Sequence, residues 1–272
     1  MTLGERFGRA PLLSFLAIVF GITWGLALVA LLARDWVDAH LGPITASHPA
    51  FIVAVYAPSL TAIGLTALTE GRPGLKVLLG RLAPWRVRWH WSALVLIGLP
   101  ASAIAVSRSI GSAEGHTGHA PGFTALLAAA LPALVLDPGP LGEELGWRGF
   151  ALPRLLGRWS PIAASLALGG IWGLWHLPGF LQPGIIQSVL PVPVFLLGIL
   201  AMSVLSTWLF VHAGGSVVPS ILLHWIGNSF RLLGIPFGVG VGVAAAWAVA
   251  IVGTGQLRNR AGQLPGRLPP AP

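Results

Sequence analysis

Apolar residues in this chain come in long runs broken by short polar intervals. The runs have bilayer length, unlike the narrow stripe of a half-buried soluble helix. Roughly 20 apolar residues cross a hydrocarbon core. Eight stretches approach that length: Pro11–Leu32, Ala50–Leu68, Trp91–Val106, Phe123–Leu136, Pro161–Leu177, Val194–Val211, Val217–Leu233 and Val239–Val252. The fourth is short, and the seventh carries His224, Asn228 and Pro219. The first follows Arg6 and Arg9 without an A-x-A cleavage site, so it reads as a retained span, not a signal peptide.

The basic residues give an independent count of crossings. With the N-terminus inside, the inner segments hold Arg6, Arg9, Arg72, Lys76, Arg81, Arg86, Arg88, Arg148, Arg154, Arg158, Arg258, Arg260 and Arg267, thirteen of the 16 Lys and Arg residues. Arg34, Arg108 and Arg231 remain outside. This positive-inside bias fits eight spans with both termini cytoplasmic, in the cell membrane. Two segments are not spans. "GRPGLKVLLGRLAPWRVRWHW" spaces Arg and Lys among Leu, Val and Trp, which suits either an interfacial helix on an anionic leaflet or an ordinary basic loop. Residues 256–272, ending "RNRAGQLPGRLPPAP", are polar and Pro-rich and are expected to be a disordered cytoplasmic tail behind a single membrane domain over 1–255.

Composition fixes the class. The chain is 55% hydrophobic and only 9% charged, whereas a soluble domain carries about 25% charged residues. The 12 Trp, 36 Gly and 23 Pro suit helices in lipid, where Gly and Pro are tolerated and Trp favours the interface. The expectation is an all-α polytopic membrane protein. A net charge of +8 does not mark a nucleic-acid binder, because the basic residues punctuate apolar runs and form no aromatic-laced stripe. Absence of Cys removes disulfides and thiolate metal sites.

Ionisable residues in or beside such spans are costly, about 2.5–3.5 kcal/mol near the bilayer centre on insertion scales, and they usually face a working interior. Three groups qualify. The first is "LGEELGWRGF", where a helix starting near Leu141 would stack Glu144 on Arg148 at i, i+4 and turn Glu143 elsewhere. The plain alternative is an acidic first turn at an interface. The second is His176 in "IWGLWHLPGF", one turn after Trp172 and just before Pro178, which alone would pass for an interhelical hydrogen-bonder. The third is "SILLHWIGNSF", with His224 and Asn228 on one helical face, equally readable as a polar seam between helices. Together the three supply carboxylates, two imidazoles and an amide. That is enough for hydrolysis by an activated water: a base, a second proton carrier and donors for an oxyanion. H-E-x-x-H, G-x-S-x-G and a Cys nucleophile are all missing.

"EELGWR", "WGLWH" and "HWIGN", in that order, resemble the three motifs of the CPBP family, the CAAX-protease and bacteriocin-processing (ABI) intramembrane proteases. These motifs are E-E-x-x-x-R, an aromatic-x-x-x-His in which Trp172 stands where Phe is commoner, and His-x-x-x-Asn. The likeness covers about Leu141–Phe230. It implies about eight helices around a polar intramembrane cavity and an endopeptidase activity. Carried over by motif, Glu143 and His176 activate water, His224 and Asn228 hold the oxyanion, and Glu144, Arg148 and Trp172 support them. The family is labelled metalloprotease, and a metal-free glutamate mechanism is also argued for it. A zinc ion on Glu143, His176 and His224 and direct positioning of water both stay open. Pairing with Arg148 is expected to keep Glu144 ionised and leave Glu143 to exchange a proton.

The expected substrate is a membrane-associated peptide or protein. Two rival readings stand beside the enzyme: a small-solute or proton-coupled transporter, and a non-catalytic bacteriocin-immunity or sorting protein. Against the first, no repeated pair of Gly/Pro-broken spans is visible.

Overall fold

The computed structural model describes residues 3–83, 89–113 and 136–257, and among them every regular element is a helix. In chain order these are α1 (Leu3–Gly8), α2 (Pro11–Leu32), α3 (Arg34–His40), α4 (Pro49–Thr69), α5 (Gly71–Gly80) and α6 (Trp89–Ala113). Next come α7 (Pro138–Glu144), which runs into a π-helical segment (Leu145–Ala151), then α8 (Leu152–Leu156) and α9 (Pro161–Trp175). After two 3-10 turns (Leu177–Leu181 and Ile186–Val189), α10 (Val192–His212), α11 (Val218–Ser229) and α12 (Phe237–Gly253) complete the order.

Four of these helices, α2, α4, α6 (through Gly111) and α10, are long and apolar enough to cross a membrane. The expected fifth, seventh and eighth spans form α9, α11 and α12, which are shorter at 15, 12 and 17 residues. The expected span Phe123–Leu136 lies outside the described residues except for Leu136, as does the tail beyond Leu257. Proline at the first helical turn starts α2, α4 and α9, where its missing N–H costs nothing. In α9 the Ser160 hydroxyl also accepts from Ala163 N at 3.3 Å.

Helix α10 is the centre of the molecule. Its Phe195, Ile199 and Phe210 join one core with α2, α4, the π segment, α8 and α9, while its Ala201, Val204, Leu205, Trp208 and Leu209 join a second with α6, α11 and α12. In its most apolar window 67% of residues are buried, against 17% for α2. Helix α2 therefore keeps most of its apolar surface for lipid.

The element that positions the glutamates is held by glycine. In "GEELG", Gly142 and Gly146 share the face that lies on α4. A β-carbon at Gly142 would sit 2.7 Å from the Val55 carbonyl oxygen, and one at Gly146 only 2.5 Å from that of Pro58. This is small-x-x-x-small packing, which lets two backbones meet. The Ser59 hydroxyl adds a hydrogen bond to the Leu141 carbonyl at 2.9 Å. With Gly142 and Gly146 against α4, the intervening Glu143 and Glu144 are turned into the protein. Gly146→Ala is expected to destabilise the fold by about 1–3 kcal/mol through overpacking, seen as a lowered thermal transition in detergent or nanodiscs. An unchanged transition would mean that α4 and the π segment are not in backbone contact.

Three expectations change here. The helix begins at Pro138, not near Leu141, because the Asp137 side chain caps it by accepting from Gly139 N at 3.0 Å. Past Glu144 the helix widens: Leu152 N bonds Trp147 O, five residues back. Pro153 has no N–H to continue a regular ladder there. Arg148 is wholly buried, so it is no inner-loop charge. Arg81 also turns inward, over the Phe210 ring and onto the Gly215 carbonyl, whereas Arg72 and Lys76 of α5 are exposed beside Val77 and Leu79.

Candidate active site

Six of the seven residues singled out in the sequence meet around the indole of Trp172. It lies on α9 and is 2% exposed. Its Nε1–H donates to Glu143 Oε2 at 2.6 Å. Its ring carries the Arg148 guanidinium at 4.2 Å, a cation–π contact in a desolvated place. Its edges meet the rings of His176 and His224, each with centroids 5.5 Å away. Phenylalanine at this position could supply the ring contacts but no donor. The hydrogen bond to Glu143 is therefore specific to tryptophan.

Glu144 ties two chain-distant segments together. Its Oε1 accepts from Arg148 Nη1 at 2.9 Å and from His224 Nδ1 at 2.9 Å. Both Glu144 and Arg148 are 0% exposed, so this ion pair is deep in the protein. Burying it costs desolvation that only close geometry offsets. Arg148 Nε and Nη2 have no hydrogen-bonded partner among the described residues, which raises the dependence on Glu144 and the Trp172 face. The i, i+4 stacking of Glu144 and Arg148 is present. The sequence reading missed that His224 is bound to Glu144.

The imidazoles differ in what they can do. His176 follows the last turn of α9, and its Nδ1 lies 2.8 Å from the Trp172 carbonyl. A carbonyl only accepts, so Nδ1 carries hydrogen and Nε2 holds the lone pair of the neutral ring. The ring is clamped between Trp175 and Phe195 at 4.7 and 5.2 Å. His224 Nδ1 donates to Glu144 in the same way. Its Nε2 is then a donor only in the imidazolium form.

Asn228 is the seventh residue, one turn after His224 on α11 and exposed. It does not touch Trp172. Its Nδ2 donates to Asp137 Oδ2 at 2.8 Å, across 91 positions. Gly139 lies beneath this pair, and a β-carbon there would stand 3.3 Å from both Asn228 Nδ2 and His224 Nε2. Asp137 precedes the first motif, and a partner 91 positions away leaves no local signal in the sequence.

A zinc site needs three or more donors turned to one point. Among the described residues no group of three or more His, Asp or Glu side chains is so arranged. Glu143 Oε2 accepts from Trp172, His176 Nδ1 donates to the Trp172 carbonyl and His224 Nδ1 donates to Glu144, so Glu143 Oε1 and the two Nε2 atoms are the donors these residues would offer a metal.

Residues 123–230, which hold all three motifs, match the family described as type II CAAX prenyl endopeptidase Rce1-like. A protein named CAAX prenyl protease 2 from Methanococcus maripaludis is 35% identical over 92 residues, 32% of this chain and 34% of that relative. The match thus spans about a third of the relative's length.

Proposed function

We propose that this chain, a member of the Rce1-like CAAX prenyl endopeptidase family through residues 123–230, is an intramembrane endopeptidase. It cuts a membrane-associated peptide or protein. The observation that carries this reading is the buried cluster itself. Glu143 and Glu144 from α7, Trp172 and His176 from the end of α9, and His224 from α11 are joined by two hydrogen bonds and a shared indole. Nothing in the packing of an apolar bundle calls for two carboxylates there.

The reaction uses the chain's own groups. Glu143 and the lone-pair Nε2 of His176 take up hydrogen bonds from one water molecule. As the water oxygen bonds to the scissile carbonyl carbon, its proton passes to the Glu143 carboxylate. The free N–H of Asn228 and the imidazolium Nε2–H of His224 receive the oxyanion. The tetrahedral adduct then collapses, the C–N bond breaks, and Glu143 returns the proton to the departing nitrogen. The products are a new carboxyl terminus and an amine. Glu144 and Arg148 hold His224 and the Trp172 ring in register.

In this reading the domain has eight spans, with the short helices α9, α11 and α12 among them. Both termini lie on the cytoplasmic side of the cell membrane. Short helices ending at a water-accessible cavity are tolerated where protein, not lipid, surrounds the free backbone groups. His176 and Asn228 stand at such ends.

Trp172→Phe tests the tryptophan-specific contact. The ring contacts survive and one hydrogen bond to a charged group is lost, about 1.5–3 kcal/mol. A fall in kcat of about 10- to 100-fold is expected, together with a lowered thermal transition, since a buried Glu143 oxygen loses its donor. An equally active variant would remove Trp172 Nε1 from the mechanism. The broader test compares membrane proteomes of cells carrying wild type or Glu143→Gln. New C-termini found only with wild type are expected, and identical termini in both would reject proteolysis.

A further inference from the structure

Asp137 lies outside the three motifs, yet both of its carboxylate oxygens are used. Oδ1 caps α7 by accepting from Gly139 N at 3.0 Å, and Oδ2 accepts from Asn228 Nδ2 at 2.8 Å. One side chain therefore joins the start of the helix that carries Glu143 to the end of the helix that carries His224.

The consequence follows from the chemistry of an amide. Asn228 is exposed, so packing does not fix its side chain. Rotated by half a turn, it would present its carbonyl oxygen where its NH2 had been, with almost the same shape. For a group that must meet a developing negative charge, the two orientations have opposite effects. An N–H stabilises the oxyanion, and a carbonyl oxygen repels it. An ionised carboxylate only accepts, so Asp137 selects the orientation with NH2 toward itself. Nδ2 has two hydrogens. With one given to Asp137, the second is left for substrate, on the side where His224 Nε2 also opens. Gly139 keeps that side clear, since a methyl there would come within 3.3 Å of both nitrogens.

We infer that Asp137 is a positioning residue of the proteolytic site, setting the direction of the Asn228 amide so that its free N–H, not its oxygen, faces the scissile carbonyl. This rests on the endopeptidase reading and adds to it a carboxylate that touches no substrate atom.

The test uses the full-length protein in proteoliposomes with a labelled peptide that wild type cleaves. Asp137→Ser keeps an oxygen near enough to cap Gly139 N but too short to reach Asn228. It is expected to lower kcat about tenfold or more while KM stays within about twofold, since losing an oxyanion donor acts on the transition state. In an Asn228→Ala background the same substitution is expected to change kcat by less than about twofold. Full, additive losses in that background would overturn the inference. A second measurement is made on the wild-type protein and needs no activity. In the wild-type protein, with the resonance assigned by its loss in Asn228→Ala, one of the two Asn228 side-chain amide protons exchanges with solvent more slowly than the other. Equal exchange of the two would overturn the clamp even if the peptide is cut. Unequal exchange with no cleavage of any peptide would leave the clamp standing and reject the endopeptidase reading instead.

Discussion

Glu143→Gln is expected to abolish cleavage, with a loss of at least about 100-fold in kcat, while the protein stays folded. The substitution keeps shape and hydrogen-bonding capacity. The glutamine oxygen can still accept from the Trp172 indole at the position of Oε2, where the bond is now 2.6 Å. What disappears is the ability to take a proton from water and return it to the leaving nitrogen. Removing a buried negative charge is not expected to weaken the fold, because Glu143 has no ion-pair partner of its own among the described residues while Glu144 holds Arg148. Initial rates in proteoliposomes, with thermal unfolding of the same preparation, check both halves. Turnover near the wild-type rate would end the assignment of Glu143 as base.

The largest effect on stability is expected from Arg148→Ala. Arg148 is 0% exposed, pairs with Glu144 at 2.9 Å and covers the Trp172 ring at 4.2 Å. Truncation strands a buried carboxylate, and breaking such a pair from one side costs about 3–5 kcal/mol. It also leaves a gap above the indole. Activity should fall with stability, since Glu144 orients His224 and the indole orients Glu143. Arg148→Lys is expected to recover only part of either, because an ammonium cannot lie flat on the ring while bonding Glu144. Thermal unfolding and residual cleavage of the two variants measure this. A stable, active Arg148→Ala protein would show that the pair holds nothing together.

The elements most legible in the sequence were those dictated by bulk apolarity. Pro11–Leu32 coincides with α2, and Val194–Val211 lies within α10, because long uninterrupted runs leave one low-energy conformation in lipid. Shorter, polar-bearing stretches were less legible. Pro161–Leu177 ends as a helix at Trp175, shortly before Pro178, and Val217–Leu233 gives a helix only from Val218 to Ser229. The start of α7 is three residues earlier than expected, because Asp137 caps the helix and Pro138 takes its first position.

At the site, spacing within one helix could be read, as Glu144 and Arg148 illustrate. The contacts between helices could not: Trp172 to Glu143 spans 29 positions, His224 to Glu144 spans 80 and Asn228 to Asp137 spans 91. One signal was present and overlooked. The glycine pair of "GEELG" marks the face that must approach another backbone, and it would have placed the two glutamates on the opposite side.

Hydrolysis by a Glu143-activated water is tested most directly by cleavage of a reconstituted peptide in heavy-oxygen water, with the products weighed by mass spectrometry. Wild type should yield a new C-terminal carboxylate carrying one heavy oxygen atom, and Glu143→Gln should yield no product on the same timescale. A product without the label, or labelled product formed equally fast by Glu143→Gln, would contradict it.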